Sequence, residues 1–193
     1  MICIIDCGTV YLDNIKSMVR MLGYSCNVIP LDDITKHDFS TCSGIIISGG
    51  TIQLTQIDAP QFIHRFDFLK DVNVPVLGIC LGHQIIGMLH GSTASKGKMV
   101  NKKEAIHVVN NNVLFSNIKN NTAFRAKHAE AVTLPDDFVL LAKSESCDNE
   151  AMKHASKDMY GVLFRPEVSS VPGVLLMINF LSLCADNALQ KQT

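Results

Sequence analysis

The chain has 193 residues, of which 47% are hydrophobic and 18% charged, and its formal net charge is -1. This composition excludes a disordered chain, and the length predicts a single domain over residues 1–193 with a substantial core. Because the charge is balanced and no basic stripe is present, we expect no nucleic-acid partner. Without an apolar run of about 18 residues, we also expect no membrane partner.

The first half of the chain alternates between short apolar runs and segments with helical spacing. Four apolar runs predict buried strands, at residues 1–5, 26–29, 44–47 and 74–79. Three helices are predicted, at residues 15–22, 60–69 and 81–90. This alternation predicts an α/β fold, in which a mostly parallel central sheet has helices on both faces.

The second half begins with a different pattern. Between residues 92 and 143 short β-like runs are broken by Asn, Gly and Pro, and they predict a small antiparallel extension at one side of the sheet. These runs lie at residues 105–109, 122–126 and 138–142. A strand at 159–164 and an apolar helix at 174–183 are predicted to close the fold.

The seven cysteines are widely spaced, without a Cys-x-x-Cys pair, so we expect no zinc site. They are Cys3, Cys7, Cys26, Cys42, Cys80, Cys147 and Cys184. Apart from Cys80 they are predicted to be reduced thiols in the core. The N-terminus lacks the charged region of a signal peptide. Together these features predict a cytoplasmic protein.

Cys80 ends the fourth apolar run and lies between Gly78 and Gly82. A nucleophile at a sharp strand-to-helix turn needs small neighbours, and the following helix N-terminus favours a thiolate. The glycine pair after the third run, at 49–50, can offer N–H groups to an oxyanion. The alternative interpretation is a buried structural cysteine beside packing glycines.

Several motifs resemble those of class I (triad-type) glutamine amidotransferases, and they occur in that family's order. GICLGHQIIG resembles the nucleophile motif, IIISGG the oxyanion strand and loop, and YGVLFRPEV followed by GVLLMINFL the closing motif. AKHAEAVTLPDDFVLLAKSE is similar to a segment in the glutaminase part of GMP synthases. The resemblance covers nearly the whole chain and implies that family's flavodoxin-like fold.

The resemblance also implies roles for the matching residues. Cys80 would attack the glutamine amide, Glu167 would orient the catalytic histidine, and Gly50 with the N–H of Leu81 would form the oxyanion hole. Glutamine would be bound by the remaining matched positions, which are Gly49, Gln84, Lys127 and His128. A separate ATP-dependent synthetase chain would receive the ammonia. No metal or organic cofactor is implied.

Arg165 stands where the family has its catalytic histidine. A guanidinium stays protonated, so it cannot serve as the base, although it can stabilise a thiolate at Cys80. On a strand end, Arg165 and Glu167 are predicted to form a charge-assisted pair. Two further departures are Thr51, for a usual proline, and Ala129-Glu130, for a usual Gly-Asp.

Three functions remain open from the sequence. The first is a GMP-synthase-type glutaminase subunit, with activity retained or weakened. The second is an inactive relative that binds glutamine or a partner protein. The third is a cysteine hydrolase for another γ-glutamyl substrate. His83 and His128 are the histidines considered as substitutes for the missing base, and His83 occupies a position where histidine is usual in the family.

Overall fold

A computed structural model describes residues 1–190 of the chain. The strands are β1 (Ile2–Asp6), β2 (Cys26–Pro30), β3 (Gly44–Ile47), β4 (Val76–Ile79), β5 (Ala94–Val108), β6 (Thr122–Val132), β7 (Phe138–Lys143), β8 (Ala151–His154) and β9 (Met159–Val162). The α-helices are α1 (Leu12–Met21), α2 (Ala59–His64), α3 (Leu81–Leu89) and α4 (Ser170–Gln190).

These strands form one sheet in the order β2-β1-β3-β4-β9-β8-β7-β5-β6. Pairing is parallel from β2 to β9 and antiparallel from β9 through to β6. The predicted α/β class is therefore confirmed. The antiparallel extension is larger than predicted, because β5 has 15 residues and most of its first half is exposed. A polar, two-sided strand of this kind has no hydrophobic alternation to detect.

Helices cover both faces of the parallel strands. Along β1, Ile2 and Ile4 pack in one core cluster with α1 and α4, whereas Cys3 and Ile5 pack in a second cluster with α2 and α3. Side chains alternate between the two faces of a strand, so the short apolar runs are buried on both sides. This arrangement places the carboxyl ends of β1, β3, β4 and β9 at a single edge.

The helix predicted at 60–69 is shorter in the structure. α2 ends at His64, and a 3-10 turn follows at Asp67–Lys70. The N–H groups of Phe66 and Leu69 each bond to the carbonyl three residues earlier, which is the tighter 3-10 pattern. Both side chains are fully buried, so packing against the sheet determines the path of this segment.

By length and composition, α4 is apolar enough to cross a membrane, over Ser170–Leu189 with a mean hydropathy of 1.4. We had expected no apolar segment of about 18 residues, and α4 does not meet that expectation. Its buried side chains form a stripe in the core, which is typical of a helix packed on a sheet. These side chains are Leu176, Met177, Phe180, Leu181 and Cys184.

Cys3 and Cys42 form a disulfide, so the prediction that both are reduced is wrong. Residue 42 comes just before β3, the neighbour of β1, and the two Cα atoms are 5.9 Å apart. That separation lies within the range that a disulfide spans. The cytoplasmic location was predicted partly from reduced cysteines, and this disulfide removes that argument. The location itself stays a prediction.

Candidate active site

The candidate site lies where β3, β4 and β9 end at one edge of the sheet. The loop after β3 carries Gly49 and Gly50, Cys80 directly follows β4, and Arg165 follows β9. A cavity of about 290 Å³ opens there. Clefts at the carboxyl ends of parallel strands are the usual binding sites of open α/β sheets.

Cys80 occupies a strained turn between β4 and α3, with φ 53° and ψ −100°. The N–H of Cys80 donates to the carbonyl of Val162 at 2.8 Å, which anchors the turn to β9. A Cβ on Gly78 would overlap the backbone of Gly82, and one on Gly82 would overlap the carbonyl of Ile47. Close packing therefore requires both glycines, as predicted for a sharp turn at Cys80, and the role of Cys80 as the nucleophile stays a prediction.

The predicted oxyanion-hole residues lie together. A Cβ on Gly50 would overlap the carbonyl of Cys7 and approach Leu81 Cδ2 to 2.7 Å. This close packing brings the loop after β3 against the first residue of α3. Gly50, Cys80 and Leu81 all line the cavity. That these residues form an oxyanion hole stays a prediction, and their common position beside Cys80 is compatible with it.

Arg165 lies between Cys80 and Glu167, the predicted nucleophile and acid. Its Nη2 is 3.4 Å from Cys80 Sγ, and its Nη1 is 3.5 Å from Glu167 Oε1, so the predicted ion pair is confirmed. Nη2 also donates to the carbonyl of Lys127 at 3.5 Å. Only 7% of Arg165 is exposed. A Cβ on Gly49 would be 2.6 Å from Nη1, so this glycine makes room for the guanidinium.

Burial and the charge of Arg165 have opposite effects on the pKa values of Cys80 and Glu167. Burial raises the pKa of the Cys80 thiol, the Arg165 guanidinium acts to lower it, and the Glu167 carboxylate adds to the rise. Burial likewise raises the pKa of Glu167, and Arg165 works against that shift. Arg165 therefore supports the charged forms of both groups, but it supplies no lone pair to accept the thiol proton.

The backbone at residue 165 is held by several hydrogen bonds. The N–H of Arg165 donates to the carbonyl of Arg125 at 2.8 Å, and its carbonyl accepts from Ser169 Oγ at 2.6 Å. Ser169 Oγ in turn accepts from the N–H of Arg125 at 2.9 Å. These hydrogen bonds connect β6 to the segment after β9. The direction in which the Arg165 side chain enters the site is therefore fixed.

Glu130 connects three segments at one wall of the cavity. From the sequence, this residue was noted only as part of the departure from Gly-Asp. Its Oε2 accepts from the N–H of Leu54 at 2.7 Å, and its Oε1 accepts from Thr55. Its carbonyl accepts from Gln84 Nε2 at 2.8 Å. Three segments far apart in sequence meet at this residue, so residue spacing carried no signal for its role.

The two histidines considered as substitute bases do not hydrogen-bond to Cys80 in the part of the chain described. His83 is fully buried against Gly161, and burial lowers its pKa to about 4. His128 lines the cavity but is 9% exposed, and its Nε2 has no hydrogen-bond partner. Neither ring therefore occupies the position of a base beside the sulfur.

Most residues predicted for the site line this one cavity, and the exceptions are Gly49 and Glu167, which lie behind Arg165. Those that line it are Gly50, Cys80, Leu81, Gln84, Lys127, His128 and Arg165. The loop at 8–11 and Met99 also line it and were not predicted. The ring of Tyr11 lies 5.5 Å from Arg165 Cζ, within cation–π range.

Comparison with known proteins agrees with this geometry. The model of the family "Glutamine amidotransferase class-I" matches residues 3–182. The chain belongs to this family. A GMP synthase (glutamine-hydrolyzing) subunit from Methanosarcina mazei is 35% identical over 164 residues, covering 82% of this chain and 80% of that protein. The corresponding GMP synthase subunit from Pyrococcus abyssi is 34% identical over 193 residues, covering 96% of this chain and 100% of that protein.

Solved structures support the same fold for this amidotransferase chain. A crystal structure of a candidate GMP synthase subunit from Thermoplasma acidophilum has a TM-score of 0.91 at 25% identity, covering 100% of this chain and 97% of that one. A glutamine amidotransferase from Thermotoga maritima has a TM-score of 0.72 at 17% identity, covering 99% and 84%. The latter likeness concerns the fold alone.

Proposed function

We propose that this chain is a glutamine amidotransferase subunit of the GMP-synthase type whose glutamine hydrolysis is weakened by Arg165. The observation that carries the proposal is the guanidinium between Cys80 Sγ and Glu167, at 3.4 Å and 3.5 Å. Cys80, Gly50, Gln84 and Glu167 are the residues expected of a glutaminase site, whereas the proton-transferring group is replaced by a permanent cation.

Glutamine enters the cavity in this proposal with its side-chain amide against Cys80. The N–H groups of Gly50 and Leu81 bind the amide oxygen as it gains negative charge. Gln84 and the backbone of Lys127 and His128 hold the rest of the substrate. Support comes from their common position around the cavity and from the 3.7 Å separation of Cys80 Sγ and the Lys127 carbonyl.

Hydrolysis at this site requires several proton transfers. The thiol loses a proton as sulfur attacks the amide carbon, and the nitrogen gains one as the C–N bond breaks. A water then loses a proton as it attacks the thioester, and the C–S bond breaks to release the sulfur as a thiolate, which takes up that proton. Arg165 supports the first step by stabilising the thiolate at Cys80. It does not give or take protons near neutral pH, so ammonia release and thioester hydrolysis are slow.

The ammonia formed would be used by another chain. Relatives of this amidotransferase are named as single subunits of GMP synthase, which points to a second subunit in those proteins. We infer a separate ATP-dependent synthetase as partner, and a cytoplasmic location for both. Glutamine is the only small-molecule substrate that the proposal requires of this chain.

The position of Arg165 also favours a second candidate, a protein without turnover that binds glutamine or its partner. Both candidates keep the glutamine pocket, and they differ only in whether Cys80 completes the reaction. A dependence of any glutamate release on Cys80 therefore separates them.

The test combines glutamine binding by calorimetry with glutamate release by the purified chain, by Cys80→Ala and by the matched control Cys26→Ser. Cys26 is half-buried in β2, away from the cavity. Slow release that is lost in Cys80→Ala and kept in Cys26→Ser supports the enzyme. Binding without release supports the binding module. A chain that neither binds glutamine nor releases glutamate overturns the enzyme and the glutamine-binding module, and leaves only the module that binds a partner protein.

A further inference from the structure

A second cluster of buried polar side chains lies behind the wall of the glutamine pocket. Glu104 comes from β5, His128 from β6, and Glu150 immediately precedes β8. They are exposed by only 5%, 9% and 0%, respectively. One ligand atom from each lies within 4.8 Å of the other two, so strands from three parts of the antiparallel extension converge on one point.

Each side chain presents an atom that lacks a hydrogen-bond partner: Glu104 Oε1, His128 Nε2 and Glu150 Oε2. The second oxygen of each carboxylate is held in place. Ser146 Oγ donates to Glu104 Oε2 at 2.6 Å, and Ser144 Oγ donates to Glu150 Oε1 at 2.8 Å. Carboxylates oriented by outer hydrogen bonds with one oxygen left free are typical of metal ligands.

The charge of the cluster is not balanced by the protein. Two buried carboxylates this close are unfavourable unless a cation or a proton compensates them. The one cation paired with them in the described chain is Lys102, whose Nζ is 3.5 Å from Glu104 Oε1 and whose side chain is 57% exposed. A divalent cation would compensate both carboxylates.

We propose that Glu104, His128 and Glu150 bind a divalent first-row transition ion such as Mn²⁺, through two carboxylate oxygens and one imidazole nitrogen. This donor set suits such ions, and Mn²⁺ is the one least competed for by cysteine thiolates elsewhere in the chain. A cavity of about 720 Å³ borders the cluster, lined by His128, Ser146 and Asn149 among others, and it offers a path for the ion.

The ion is separate from the reaction at Cys80. Ligation of His128 fixes β6 beside Lys127, whose carbonyl contacts both Cys80 and Arg165. The ion therefore stabilises one wall of the glutamine pocket. This proposal does not depend on whether glutamine is hydrolysed.

The test is titration of the purified full-length chain with Mn²⁺, followed by electron paramagnetic resonance and by the thermal unfolding midpoint. We expect one Mn²⁺ per chain and a raised Tm. Glu104→Gln and Glu150→Gln should each lower the affinity more than about tenfold, since loss of outer-sphere partners alone costs about 10- to 100-fold. Both replacements are isosteric, so the fold should be kept. Glu145→Gln, an exposed neighbour, is the matched control.

Three outcomes overturn the proposal. One is absence of Mn²⁺ binding by the native chain, and another is unchanged affinity in both glutamine variants. The third is a loss of binding in Asp137→Asn instead, which would assign the ion to the exposed cluster of His90, Asp137 and His154. Cys80→Ala should bind Mn²⁺ as the native chain does, so the failure of this proposal is distinguishable from failure of the proposed function.

Discussion

Arg165→His places an imidazole where the guanidinium now lies, and we expect it to increase glutamine hydrolysis. The backbone at 165 is held by Arg125 and Ser169, so the substitution should change the side chain without moving the turn. Glu167 Oε2 is buried without a partner and can accept an N–H from the new ring. The ring would then have the acid that orients it and a sulfur to deprotonate.

The size of the gain follows from what the imidazole adds and what the guanidinium takes away. General acid–base catalysis contributes about 10² to 10⁴ in rate, or about 3 to 5 kcal/mol of barrier. Arg165 Nη2 already stabilises a thiolate from 3.4 Å, and this benefit is lost with the substitution. We therefore expect a gain near the lower limit, about 10²-fold in kcat.

The assay is glutamate release at saturating glutamine, with Arg165→Gln as the matched control, because glutamine removes the charge without adding a base. Arg165→His should be faster than the native chain, and Arg165→Gln should not. The pH profile of Arg165→His should also gain an ionisation at about 6.5. If Arg165→His is no faster than Arg165→Gln, the missing base is not what limits this site.

Three further predictions concern a buried histidine, one wall of the cavity and the disulfide. The pKa of His83 falls from 6.5 to about 4 on folding, so the unfolded chain takes up this proton first and stability drops by about 3 kcal/mol as pH falls through that window. His83→Gln should show a smaller drop in urea unfolding between pH 6.5 and 4, and an equal drop would contradict the assignment. Glu130→Ala removes the acceptor for Leu54 and Thr55, so it should cost about 1 to 3 kcal/mol of stability and weaken glutamine binding in calorimetry; unchanged affinity would show that this loop does not shape the pocket. Alkylation of the denatured chain should modify the five free cysteines without reductant and all seven after reduction, and seven in both cases would exclude the Cys3–Cys42 disulfide.

The sequence predicted the parts of the fold that depend on local patterns. The run before Cys80 is apolar because β4 is buried on both faces, and the glycines around Cys80 are required by contacts within a few residues or with the adjacent β3. The first half of β5 has no such pattern because most of its side chains are exposed, so it is held by pairing with β6, which follows later in the chain. The Cys3–Cys42 disulfide was missed because the approach of the two cysteines depends on the order of β1 and β3 in the sheet.

In the candidate site too, some residues follow from local sequence patterns and others depend on tertiary contacts. The proposed nucleophile, acid and oxyanion glycine follow from motifs. Glu130 and the Glu104–His128–Glu150 cluster instead depend on side chains that approach one another only in the tertiary structure. Polar residues so widely separated along the chain carry no spacing signal, and each alone is typical of a solvent-exposed residue. The functions proposed for them rest on burial, on contacts and on the polar atoms left without partners.

The strain retained around Cys80 argues that this site is used for more than packing. A positive φ at a non-glycine residue costs about 1 to 3 kcal/mol, and Arg165 Nε and Glu167 Oε2 are both buried without hydrogen-bond partners. A core that served stability alone would gain from a glycine at 80 and an apolar pair at 165 and 167. The structure instead places a sulfur and a cation beside the cavity in which we propose that glutamine binds. Binding of glutamine is therefore the part of the proposed function that this geometry favours independently of turnover.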